Sequence, residues 1–235
     1  MTELASDISD YELPTRMTLA DQIADRLGWD IAFRKILPGA RIREVELAKR
    51  LDVSRPLVRE VIQRLEVQGL VEVVPFKGAR VPVLTATQLS DVFDFGALTF
   101  GFICRIAAVR ATEQQLTLIA LAVDRLARMT DATSSAEEYE RGRVLCHQIL
   151  EGCLGETNEL MRTRPMVRRT RHQFAIDSIS TPEARRASVK RWRTLQGHLE
   201  ARDAVAAEAQ ATSMVLATKD VGIEAHRALS ASAGQ

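Results

Sequence analysis

The chain has 235 residues, 32 Lys+Arg against 31 Asp+Glu, and a 46% hydrophobic fraction, which is too apolar and too evenly charged for a disordered protein. That length accommodates one large domain, or a small domain joined to a larger one. A formal charge of +1 argues at first sight against a nucleic-acid partner.

Charge acts locally, however, and here it is partitioned. Residues 1–15 hold Glu3, Asp7, Asp10 and Glu12 and no base, and read as an acidic flexible arm. Residues 16–83 hold 13 basic and 9 acidic side chains, and residues 84–235 hold 19 and 18. The start of the chain has neither the basic residues nor the apolar run of a signal peptide. No stretch reaches the roughly 18 uncharged apolar residues of a membrane span. A cytoplasmic protein without a membrane partner is therefore expected, with Cys104, Cys146 and Cys153 as reduced thiols.

Residues 17–36 predict an amphipathic helix, with Leu19, Ile23, Leu27 and Ile31 recurring every four residues. Leu37-Pro38-Gly39 stops it, and a short extended piece, Ala40-Arg41-Ile42, follows. A compact helix is expected from Glu44 to Leu51. After the turn Asp52-Val53-Ser54 a third helix begins, capped by Ser54 and carrying Pro56 in its first turn. Val58, Val61, Ile62 and Leu65 form its buried stripe, and Gly69 ends it. The runs Leu70–Val74 and Ala79–Val83 flank Pro75-Phe76-Lys77-Gly78 and predict a β-hairpin. Three short helices followed by a hairpin describe a winged helix-turn-helix over residues 16–84.

Beyond Leu84 the pattern is helical, in segments near 87–111, 113–130, 135–154, 157–178, 182–200 and 202–228. The fold class is thus mainly α: an N-terminal winged helix-turn-helix with a small hairpin wing, then an all-α helical bundle over 85–229 and a flexible tail over 230–235.

Arg55 and Arg59 lie four apart on the third helix, off its buried stripe, where a guanidinium can grip guanine or clamp a phosphate. Ser54 at the helix start can bond a phosphate oxygen. Lys77 and Gly78 at the wing tip can approach the minor groove, and Arg41 and Arg43 can contact backbone. A lone arginine is most often a solvated charge; the joint placement of these residues favours DNA.

The pattern Leu37-Pro38-Gly39-Ala40-Arg41-Ile42, Glu44, Leu47-Ala48, Leu51, Val53-Ser54-Arg55-Pro56-Leu57-Val58-Arg59-Glu60-Val61, Leu65, Gly69-Leu70-Val71, Pro75, Gly78, Val81 resembles the DNA-binding domain of the GntR superfamily of transcription regulators. The helical part, with Ala107–Thr112 and Ala201-Arg202-Asp203-Ala204, resembles the FCD effector domain of the FadR subfamily. The resemblance implies DNA contacts by Arg55, Arg59 and Gly78, with Arg43, Ser54, Leu57 and Lys77 completing the candidate set. It further implies a homodimer, most commonly a repressor, that reads an inverted repeat and is released by a small ligand.

Many FCD domains hold a divalent metal between an Asp-x-x-x-His pair and two later histidines. Here His147 is present, but Arg143 stands at the carboxylate position, and Trp192 and Met214 stand at the other two. His172, His198 and His226 offer no compensating spacing. No metal and no cofactor is expected. The effector pocket is then Phe100, Arg143, Cys146, His147, Trp192 and Met214, with Gly96 where the family often has an arginine. Such an apolar pocket suits a fatty acyl or aromatic effector, unless the same side chains fill it.

Residues 161–193 carry ten Lys/Arg against Asp177 and Glu183. That band reads as a solvated face, a contact with the DNA-binding domain, an acyl-CoA phosphate site, or an extra DNA contact. An effector-blind regulator with a filled pocket and a metal-dependent organic-acid sensor are the alternatives. An enzyme is disfavoured, because neither a nucleophile elbow nor a glycine-rich phosphate loop is present.

Overall fold

The structure, a computed structural model, describes residues 17–74, 78–155 and 176–233, with side chains described as far as Ala228. The acidic arm, Lys77, the stretch 156–175 with most of the expected 157–178 helix, and the chain end lie outside the described residues.

Helix α1 spans Leu19–Ala32, opened by Thr18. The Thr18 side chain accepts from the Asp21 amide while the Asp21 carboxylate accepts from the Thr18 amide, satisfying two of the N-H groups a helix start leaves orphaned. The helix ends four residues before the expected 36, because Arg34 turns left-handed at φ 57°. Strand β1 (Arg41–Ile42), α2 (Glu44–Leu51) and α3 (Arg55–Val67) follow. Asp52, left-handed at φ 52°, makes the turn between α2 and α3, and Ser54 caps α3 by accepting from the Leu57 amide.

Strands β2 (Glu72–Val74) and β3 (Gly78–Arg80) form the wing, and β1 joins the far side of β3, giving the antiparallel order β1-β3-β2. Arg41 pairs with Arg80 and Ile42 with Ala79. Gly78 sits at φ +87°, and a Cβ there would come within 2.7 Å of the Ile42 carbonyl oxygen, so the close approach of the central strand to β1 requires glycine. Leu27, Ile31, Leu47, Val58, Val61, Leu65, Leu70 and Val81 share one buried core. Arg64 fastens α3 to α1, 2.7 Å from both Asp21 and Glu60. The Thr18 and Arg64 hydrogen bonds hold the Asp21 carboxyl below the ordinary aspartate range.

The second domain begins with α4 (Ala86–Arg110), followed by α5 (Glu113–Arg128) and α6 (Ala136–Gly152). Each starts with a reciprocal cap, from Thr85 and Gln88, Thr112 and Gln115, and Ser135 and Glu138. A 3-10 turn at Ile176–Ile179 precedes α7 (Pro182–Glu200) and α8 (Ala204–Ala233). The described end of the expected 157–178 segment is therefore a 3-10 turn.

Helix α4 is long and apolar enough by composition to cross a membrane, but half of its apolar window is buried inside the domain. It lies along α8, and Gly101 allows the approach: a Cβ there would clash with the Thr212 hydroxyl. A core separate from that of the first domain joins Phe100, Ile103, Ala107, Leu126, Tyr139, Leu150, Trp192 and Leu195.

The two domains touch through the end of α1. Trp29, Ala32 and Val144 are buried together, with Phe33 packed against them. The Arg141 guanidinium lies 4.5 Å from the Trp29 ring centre. Lys35 reaches Glu137 at 2.9 Å, and Arg34 forms a bidentate pair with Asp177.

Candidate functional site

The first candidate surface is the exposed face of α3. The Arg55 and Arg59 side chains are 57% and 58% exposed, and both converge on Glu44 of α2, at 3.8 and 2.9 Å. One carboxylate thus orients two guanidinium groups without neutralising both. Arg43 pairs with Glu46 at 2.7 Å. An open groove between α2, α3 and the wing gathers these residues with Arg41, Gln63 and Gly78. Four guanidinium groups against two carboxylates leave it positive, as a DNA-phosphate surface requires. Ser54 stands at the α3 N-terminus and Leu57 is half-buried against the domain core.

Gln63 is an addition from the structure. It continues the spacing Arg55, Arg59, Gln63 along one helix face, and its amide is of the type that reads adenine. The four-residue spacing was the signal available in the sequence.

The second candidate site is a half-enclosed cavity in the helical domain. Phe100, Arg143, His147, Trp192 and Met214 line it together with Gly96. Cys146 does not: it is fully buried in the core, where burial pushes its thiol up to about 12, which makes it a poor nucleophile. The rings of Phe100, His147 and Trp192 form one cluster, with His147 centred 4.2 Å from Phe100 and 5.3 Å from Trp192. Phe93, Ile179, Val215, Ser178, Ser188, Thr218 and Arg191 complete the wall.

The cavity measures about 50 Å³, room for a few water molecules and far less than a fatty acyl chain occupies. Its residues do not fit a divalent cation. They supply one imidazole and two guanidinium groups, and among the described residues no three His, Cys, Asp or Glu side chains gather at ligating distance.

The described part of the basic band divides three ways. Arg185 is buried and donates to the Asp131 carbonyl at 2.7 Å and the Ile179 carbonyl at 3.4 Å. Arg186 and Arg193 pair on the surface with Glu183 and Asp124. Arg191 enters the cavity, while Lys190 is exposed. Arg162, Arg164, Arg168, Arg169 and Arg171 lie outside the described residues.

Comparison with known proteins bears on the first site above all. Residues 19–81 match the family model described as bacterial regulatory proteins, gntR family. The chain is similar to the Nta operon transcriptional regulator of Aminobacter aminovorans, 39% identical over 82 residues, or 35% of this chain and 39% of that protein. It is also similar to the "Probable D-xylose utilization operon transcriptional repressor" of Paenarthrobacter nicotinovorans, 34% identical over 94 residues, or 40% and 42% of the two chains. The matches thus span well under half the length of those relatives. The fold resembles the solved structure of E. coli McbR/YncC at a TM-score of 0.70 and 20% identity, covering 85% of this chain and 94% of that one. A transcriptional regulator GntR from Rhodococcus sp. RHA1 is similar at a TM-score of 0.66 and 20% identity, covering 88% and 98%. Through residues 19–81, then, the chain is similar to the bacterial regulatory proteins of the gntR family, and an all-helical second domain follows.

Proposed function

We propose that the protein is a homodimeric transcription regulator of the FadR subfamily, a cytoplasmic repressor that holds a palindromic operator and releases it when a small effector enters an FCD-type helical domain. Arg55, Arg59, Arg43, Ser54, Leu57 and Gly78 serve the operator, with Lys77 at the wing tip, and the α3 arginines read base edges. Dimer symmetry sets two α3 helices about 34 Å apart on the duplex. Leu98, Phe102 and Val109, on one face of α4 and 70%, 42% and 68% exposed, support an apolar dimer contact. No metal takes part in this reading.

One observation carries the ligand response. The 3-10 turn Ile176–Ile179 faces both domains: Asp177 pairs with Arg34 at the end of α1, and its neighbours Ser178 and Ile179 line the cavity. Helix α6 does the same on a longer stretch, with Arg141 and Val144 against α1 and Arg143 and His147 in the cavity. A ligand that prefers one position of this turn therefore biases the seat of the DNA-binding domain, by no more than its differential affinity for the two positions.

The test is operator affinity, measured by fluorescence anisotropy on a duplex selected from random sequence by the full-length protein. Arg59→Ala should weaken binding roughly 5–150-fold at physiological salt while light scattering still reports a dimer; unchanged affinity refutes the assignment of α3. The small cavity volume favours a second reading, an effector-blind regulator. That reading gains if no organic acid in a screen alters either operator affinity or the melting midpoint.

A further inference from the structure

Helix α2 carries one apolar side chain that the domain core leaves out. Leu47 and Ala48 are buried in that core and Leu51 packs against it, whereas Val45 is 59% exposed. It stands in the first turn of α2, where a β-branched side chain adds little to helix stability. An exposed valine on an ordinary surface needs no explanation. This one lines the groove between α2, α3 and the wing, together with Arg43, Arg55, Arg59 and Gln63. Its place there is fixed from both sides. The preceding Glu44 is held by Arg59 at 2.9 Å, and the following Glu46 by Arg43 at 2.7 Å.

A duplex seated against those guanidinium groups takes the water from Val45 as well. Beside a polar base edge the valine would leave donors or acceptors dry and unpaired, which costs free energy. The C5 methyl group of thymine, displayed in the major groove, avoids that cost because it is itself apolar. We propose that Val45 is a specificity residue that packs against one thymine methyl in each operator half-site, while the α3 side chains hold phosphates and polar base edges beside it. This deepens the operator-binding reading of α3 and rests on it. It adds a sequence preference carried by α2 through an apolar contact, which involves no charge and so does not follow the salt dependence of the arginines. Val73 of the wing also lines the groove and is 45% exposed. On the same reading, however, the wing approaches the minor groove, where no thymine methyl is displayed.

The experiment uses the full-length protein and the duplex it selects from random sequence. Each half-site thymine is replaced in turn, in both half-sites together, by deoxyuridine, which lacks only the C5 methyl. Affinity is read by fluorescence anisotropy. At one position the wild-type protein should bind about tenfold more weakly, roughly three- to fourfold for each buried methyl lost. That factor should be the same at 50 and 200 mM salt, although both affinities fall. Val45→Ala should bind the thymine and deoxyuridine duplexes within twofold of each other. Its melting midpoint should stay at the wild-type value or above, since alanine is the better helix former. Val73→Ala should keep the full methyl preference. An effect of the methyl on DNA stiffness alone would persist in Val45→Ala, so the cycle separates contact from deformability. A methyl preference that survives Val45→Ala undiminished, or that disappears in Val73→Ala instead, overturns the proposal. Selective operator binding with no deoxyuridine-sensitive thymine overturns it too, while leaving the regulator reading intact. Failure of the wild-type protein to select any duplex would strike the regulator reading and the proposal with it.

Discussion

Two arginine pairs, one in each domain, differ in a single respect that decides their chemistry. Arg55 and Arg59 share Glu44 in the open, all three reached by solvent, while Arg143 and Arg191 line the helical cavity and Arg143 pairs with Glu140, whose side chain is 4% exposed. Water and salt screen the outer pair, so its excess charge costs the fold little and is free to attract a DNA polyanion. The inner pair has no such screening, and a guanidinium left there without a partner would raise the free energy of the fold. As proposed, the outer pair serves as a salt-sensitive landing surface for DNA, whereas the inner pair lies within the helical domain.

The sharpest way to break this comparison is to remove the central carboxylate of each pair. Glu140→Gln takes the carboxylate from the largely enclosed Arg143 guanidinium and should cost about 3–5 kcal/mol in denaturant unfolding. Glu44→Gln should cost less than about 1 kcal/mol, and should leave operator affinity unchanged or slightly stronger. Equal losses for the two variants would erase the distinction. Next in size, Arg55→Ala and Arg59→Ala should each lose about 1–3 kcal/mol of operator binding, or roughly 5–150-fold in affinity, with no change in melting midpoint. Affinity should also fall steeply between 50 and 200 mM salt, as phosphate neutralisation requires.

The smallest effect concerns Asp21. Its carboxyl is lowered by Thr18 and Arg64, so its contribution is complete above the ordinary aspartate pKa and is lost as pH falls through the folded value. Asp21→Asn should therefore destabilise the protein by roughly half a kcal/mol at pH 7, because the group is partly exposed. The difference should begin to shrink below about pH 4 and fade as pH falls through the lower folded value. Melting curves of both proteins from pH 3 to 7 measure it, and a constant gap across that range contradicts the assignment.

Local chemistry made the first domain legible. Glu44–Leu51 and the start of α3 follow from Ser54, Pro56 and four-residue apolar spacing, all of which act within one or two turns. The end of α1 was less legible, because the left-handed Arg34 is held by a partner 143 residues away. Pairing of β1 with β3 is equally non-local and involves only two residues. In the second domain the helices read well from their Thr and Ser caps, but the cavity read only in part. Arg191 was counted within a basic band, whereas Ser188, Arg191, Trp192 and Leu195 lie at i, i+3, i+4 and i+7 on one inward-tending face of α7. Cys146 belongs to the core and not to the expected pocket, because a residue adjacent to His147 on a helix points elsewhere.

The central claim is that occupancy of the helical cavity reaches the DNA-binding domain through the turn that carries Asp177. The direct measurement is operator affinity with and without a saturating organic acid taken from the screen, in the wild-type protein and in Asp177→Asn, with its binding to both followed by calorimetry. The account predicts that the ligand weakens wild-type operator binding at least tenfold. It predicts that Asp177→Asn binds the same ligand equally well but shows less than a threefold change at the operator. An undiminished response in Asp177→Asn would contradict it.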